Sequence, residues 1–229
     1  MLRQRIFLLA QISDKWYVAQ QVVRRRVRCH GARAWQDPRV TLSPRPAETV
    51  STVATGAGML ALWDPQSFTG IVDHDTWDPQ LGEDEDVERH IRTGSLVPIN
   101  IRSDGAFGVL VRVGGPDRPG RLTERESRHR FVSSEAYSFC SSGQVWLSGI
   151  EAVGAEAWPG TVQFDLPVGR YAVVIHLIAW EDEAGSVNED GTPSVTALPD
   201  FVALVSPAGS ERDRFRTDVE TFDRPGEPR

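Results

Sequence analysis

The sequence predicts an all-β protein: a single β-sandwich-like domain with a basic N-terminal arm and a charged C-terminal tail. Short apolar stretches with period-2 alternation recur from Met59 to Val205, separated by turns bearing Gly, Pro and Asp. Tyr171 to Trp180 (YAVVIHLIAW) is almost continuously apolar and rich in β-branched residues, as a central strand buried on both faces would be. After residue 59 no stretch reads as a convincing helix, so the strands are expected to pack on one another as two sheets.

Taken in order, residues 1–58 read as a basic arm and linker outside the fold. The start imitates a signal peptide, but its apolar segment Ile6 to Ala10 is shorter than the ~7–15 residues of an h-region, so a cytoplasmic location is expected. Ile6, Leu9, Trp16, Val23 and Val27 would share one helical face, beside Arg24, Arg25, Arg26 and Arg28. A contact to nucleic acid or anionic lipid is one reading of that arm. The other is a dispensable segment, or a reading frame that properly begins at Met59. Residues 36–58, with Pro38, Pro44, Pro46, Gly56 and Gly58, read as a linker with little regular structure.

The body, residues 59–206, opens with Leu60, Leu62 and Trp63 as a strand ending at Asp64-Pro65. Leu96 to Val113 reads as a hairpin, with Val97, Ile99 and Ile101 alternating, Ser103-Asp104-Gly105 turning, and Phe107, Val109, Val111 and Val113 alternating again. Tyr137 to Cys140 and Gln144 to Leu147 flank a second turn, Ser141-Ser142-Gly143. Thr161 to Leu166, the Tyr171 to Trp180 run and Phe201 to Val205 complete the set. Glu124 to Arg130 reads as a charged loop. Residues 207–229 read as a charged tail, expected to be disordered beyond about residue 210.

Composition excludes several classes. With 40% hydrophobic and 25% charged residues, the 229-residue chain is neither fibrous nor wholly disordered. No apolar run approaches the ~20 residues of a membrane span. Two cysteines, Cys29 and Cys140, exclude a disulfide scaffold and a cysteine-based zinc site. All but one of the basic residues are arginine, the habit of a GC-rich bacterial genome. Charge is segregated: residues 1–50 hold ten basic groups against three acids, +7, while the whole chain is −7, leaving −14 for residues 51–229.

No HExxH, CxxC, GxSxG, GxGxxG or Walker loop is present, and no cofactor is expected. His176, inside the apolar run, reads as a satisfied sheet residue. Asp73, His74, Asp75 and Asp78 alone have metal-ligand character, and a small metal-dependent hydrolase using Asp73, His74 and Asp75 is the alternative reading. The dominant feature is charge. Asp73, Asp75, Asp78, Glu83, Asp84, Glu85, Asp86 and Glu88 follow one another without a Lys or Arg between them. Such a segment repels nucleic-acid phosphates, so the body is not expected to bind nucleic acid. It suits a basic protein partner, and these eight carboxylates are the expected partner-binding residues. The bland reading of an acidic loop is that it keeps the protein soluble.

One stretch carries a family resemblance. The Trp-bearing acidic segment Asp75-Thr76-Trp77-Asp78, the Leu96 to Val113 strands, Ser142-Gly143-Gln144-Val145-Trp146 and above all Phe164-Asp165-Leu166-Pro167-Val168-Gly169-Arg170-Tyr171 resemble the competence protein J family, small inhibitors of a DNA-entry nuclease. The resemblance spans about residues 59–206. It implies a non-enzymatic inhibitor or immunity-like protein that binds a nuclease, and it supplies no catalytic residues. A β-domain of unassigned role is the third reading.

Overall fold

The structure, a computed structural model, describes residues 47–115, 120–209 and 214–222. Of the arm and linker expected over residues 1–58, residues 1–46, with the arginine cluster, lie outside the described residues. Two sheets share one core, as the sequence predicts. The first runs β1 (Ala47–Thr55), β4 (Gly105–Val113), β10 (Phe201–Pro207), β9 (Gly169–Ile178) and β5 (Arg130–Ser133), with β6 (Tyr137–Ser141) on β9 as well. The second runs β3 (Leu96–Asn100), β2 (Met59–Trp63), β7 (Gln144–Gly149) and β8 (Val162–Asp165). Val109, Val173, Ile175 and Phe201 of the first sheet and Leu60, Leu62, Ile99 and Leu147 of the second belong to a single buried cluster. The predicted central strand is β9, which pairs with β10 on one side and with β5 and β6 on the other.

Four expectations are corrected. The first strand is β1, not the one at Met59: Ala47 to Thr55 pair residue for residue with Val113 to Gly105, and Val53 and Thr55 are buried. The β-branched residues Thr49, Val50, Thr52 and Val53 carry that strand inside a segment whose prolines and glycines suggest a linker.

Leu96 to Val113 is not a hairpin. β3 pairs with β2 and β4 with β1 and β10, so the Ser103-Asp104-Gly105 turn carries the chain from one sheet to the other. The same holds for β6 and β7 around Ser141-Ser142-Gly143. An earlier crossing, β1 to β2, turns at Gly58. Its φ is +73°, and a Cβ there would sit 3.0 Å from the Arg102 carbonyl carbon, so glycine lets the two crossings dock. Gly58 O accepts both Ile101 N and Arg102 N at 2.9 and 2.8 Å.

The body is not free of helix. The acidic segment folds as α1 (His74–Leu81) and α2 (Asp84–Thr93), and Glu124–Arg128 forms α3. The described part of the tail packs on the body: Phe222 is 3% exposed with its ring 5.8 Å from that of Phe201, and Asn100 Nδ2 donates to Thr221 Oγ1. No described helix is long and apolar enough to cross a membrane.

His176 lies on the outer face of the first sheet, with Nδ1 2.7 Å from Ser133 Oγ and Nε2 buried without a hydrogen-bond partner. Burial, with Arg130 adding to it, pushes its pKa below the ordinary 6.5. The unfolded chain therefore takes up a proton near pH 6.5 that the folded chain resists, so this stability is present above that pH and lost as pH falls. His90, likewise depressed by burial and by Arg89, adds in the same direction. Denaturant midpoints are expected to drop between about pH 7 and 5, and to drop less in His176→Gln. An unchanged pH slope in that variant would exclude His176 as a source.

Candidate functional site: an acidic helix pair and an adjoining cleft

The acidic residues are arranged by helix chemistry. Asp73 is the N-cap of α1: its carboxylate accepts Thr76 N at 2.9 Å, and Thr76 Oγ1 accepts Asp73 N at 3.1 Å, a reciprocal capping box. The Thr76 hydroxyl and then its amide hold the Asp73 carboxyl below the usual carboxylate range. Glu83 is the N-cap position of α2, and Asp84, Glu85 and Asp86 fill its first turn, where negative charge meets the positive end of the helix. Gly94, at φ +75°, ends it.

Both helices are fixed to the sandwich by their buried faces. Trp77 and Leu81 of α1 are buried, and Trp77 Nε1 donates to Ile150 O at 3.1 Å. Val87 and Ile91 anchor α2, which packs on β3 of one sheet and β6 of the other. Arg89 bonds Asp86 and also donates to Pro79 O at 3.0 Å, joining the two helices, while Arg92 pairs with Glu88. Of the eight predicted carboxylates, Asp73, Asp75, Asp84 and Glu85 are exposed, while Asp78, Glu83, Asp86 and Glu88 are half-buried. The result is a mounted acidic surface, not a loop.

The alternative metal site is not formed. Among the described residues no three His, Cys, Asp or Glu side chains converge as a ligand set. Asp73 is committed to its cap, and the exposed His74 ring lies 6.2 Å from that of Trp77.

Beside the C-terminal end of α2 opens a cleft of about 480 Å³, lined by Asp64, Ser67, His90, Thr93, Ser95 and Ser142, with Cys140 and Ser141 at one side. Asp64, 4% exposed, accepts Ser142 N (3.1 Å) and Ser142 Oγ on Oδ1 and Ser67 Oγ (3.0 Å) on Oδ2. The His90 ring lies 4.6 Å from that of Phe68, with Nδ1 3.1 Å from Ser95 Oγ. This cleft has no linear signal. Asp64-Pro65 and Ser141-Ser142-Gly143 read only as turns, 78 residues apart in sequence, and it is the fold that joins them.

The F-D-L-P-x-G-x-Y stretch is structural here. It carries the chain from β8 to β9, Leu166 is buried, and Tyr171 Oη donates to Pro167 O at 2.8 Å.

No family model matches the sequence, and no curated protein does. Two solved structures are similar to this one. The protein described as crocagin biosynthetic gene J shares 16% identity at a TM-score of 0.46, over 71% of this chain and 97% of its own. ComJ from Bacillus subtilis, described as an inhibitor of the DNA-degrading activity of NucA, shares 10% identity at 0.43, over 72% of this chain and all of its own.

Proposed function

We propose that this chain is a non-enzymatic inhibitor-type binding protein whose acidic helix pair engages a basic protein partner, a nuclease first among the classes to test. The observation that carries the reading is the presentation of Asp73, Asp75, Asp84 and Glu85 on two helices whose opposite faces are locked into the core by Trp77, Leu81, Val87 and Ile91. Rigid, exposed carboxylates steer a cationic partner without an ordering cost at the moment of contact. A nuclease fits because an enzyme that holds a phosphate backbone presents a basic surface, which such a face can occupy. The sequence resemblance names the same partner class. The same charge disfavours direct binding of nucleic acid by this face.

The test is kinetic. A basic nuclease co-purified with the chain from its host is titrated at low and physiological salt. The on-rate of the wild type is expected to fall about tenfold or more as the screening length shortens to ~8 Å. Asp75→Asn/Asp84→Asn/Glu85→Gln is expected to slow association several-fold at low salt. Its stability cost is about 1–2 kcal/mol, from lost helix-terminus interactions. On-rates that ignore both salt and the substitutions would remove this face from the interface.

A further inference from the structure

The geometry points to a second recognition element on the same side of the molecule: the cleft at Asp64 is a socket for one guanidinium side chain, an arginine of the partner. It rests on, and extends, the reading of the acidic helices as a binding face. The argument is a count of donors and acceptors around the cleft wall.

Every described hydroxyl there spends its hydrogen inward. Ser67 and Ser142 donate to the Asp64 carboxylate, Ser141 to Leu166 O, and Thr93 and Ser95 to His90 O. The backbone amides are committed too: Cys140 N to Gly94 O, Ser95 N to His90 O, Ser142 N to Asp64 Oδ1, and Gly143 N to Ser141 Oγ. The oxygens of the wall therefore keep lone pairs and no spare hydrogen, and the exposed Cys140 thiol adds only a weak donor at one side.

Behind them lies a carboxylate almost wholly withdrawn from solvent, whose partners are three donors and no ionic group. A carboxylate offers about four acceptor directions, so one remains. A buried negative charge without a countercharge is costly, and an incoming cation relieves that cost. The ligand that complements such a wall carries donors only and a positive charge. Guanidinium has five donors and no acceptor, more than the three of an ammonium, and so answers a wall with several acceptors better. An anion or a carbonyl-bearing ligand would meet lone pairs. The nearest imidazole, His90, is held toward its neutral form by burial and by Arg89, so it does not compete for the position.

The probe is N-acetyl-arginine N-methylamide, with the isosteric but uncharged citrulline derivative as control, titrated into the full chain while backbone amide shifts are followed. The arginine probe is expected to shift Ser95, Ser142 and Gly143 saturably in the millimolar range, and the citrulline probe not to. Asp64→Asn is expected to weaken the arginine probe by about tenfold or more, equivalent to roughly 1.4 kcal/mol. Because Asp64 also ties the 142 turn, a second variant guards the result: Thr93→Trp, at an exposed position on the rim, fills the opening without touching the core. It is expected to abolish the shifts with the denaturation midpoint unchanged. Equal shifts from citrulline, a response confined to the N-terminal turns of α1 and α2, or arginine shifts that survive Thr93→Trp would overturn the socket. The assay needs no partner. A positive probe result with salt-independent partner on-rates sinks the acidic-face reading alone, and the reverse pattern sinks the socket alone.

Discussion

A chain beginning at Met59 is expected to lose roughly 3–6 kcal/mol of stability, a large share of the roughly 5–15 kcal/mol that holds a domain of this kind together. The loss has three sources. β1 removes the antiparallel partner of β4 along nine residue pairs and takes buried Val53 with it, worth about 1.5–3 kcal/mol by burial alone. Glu151, pushed above the usual carboxylate range by burial, accepts Thr55 Oγ1 at 3.1 Å and Gly56 N at 2.9 Å. Without residues 55 and 56 that half-buried carboxyl loses both donors, about 1–3 kcal/mol. Arg112 also loses Glu48, whose carboxylate accepts its Nε at 2.8 Å. Urea denaturation of the shortened chain against the full chain reads the difference directly. Coincident midpoints would show that β1 contributes nothing.

Glu126→Ala is the point substitution with the largest expected effect, about 3–5 kcal/mol. Arg112 and Glu126 form a two-bond fork, Nη1 to Oε2 at 2.8 Å and Nη2 to Oε1 at 2.9 Å, with both side chains about 5% exposed or less. Arg112 further donates to Arg121 O, and Glu126 accepts Thr123 N at 2.7 Å as it closes the cap of α3. Burial on its own would raise the Glu126 carboxyl; the hydrogen bonds from Arg112 and Thr123 outweigh it and hold the group below 4.5. The pair thus stabilises above about pH 4.5, and that contribution is lost as pH falls through the lower folded value. Removing one partner strands the other charge, whereas Arg112→Met with Glu126→Leu replaces the pair by apolar volume and is expected to cost far less than Glu126→Ala. A double-mutant cycle by denaturation decides it. Strictly additive single losses would show that the fork has no coupling of its own.

The features that repeat along a strand were legible. Alternation marked β4 and the apolar run marked β9, because period and composition report how many faces are buried. They do not report which strand lies alongside. Val97, Ile99, Val109 and Val111 alternate equally well in one sheet or in two, so the crossing at Ser103-Asp104-Gly105 looked like a hairpin. The helices left a trace that charge obscured: Trp77 and Leu81, then Val87 and Ile91, each stand four apart, behind the Asp73-to-Thr76 cap and ahead of Gly94. Eight carboxylates suggested a solvated loop, yet first-turn positions are where a helix welcomes acids. Asp64 was legible only as the residue before a proline. Its role in the cleft depends on Ser142, 78 positions away, and no local pattern encodes that pairing.

The place of β10 has a consequence for how this protein is made. Residues 201–207 sit between β4, which they join in parallel, and β9, which they join antiparallel. Until that segment has left the ribosome, the first sheet is two separate pieces with an unpaired edge on each, and Val109, Val111, Val173 and Ile175 lack the cover of Phe201, Ala203 and Val205. Every residue through 207 must therefore be synthesised before this sheet can close. Through most of translation the nascent chain offers two sticky strand edges to chaperones, or to its neighbours on the same messenger.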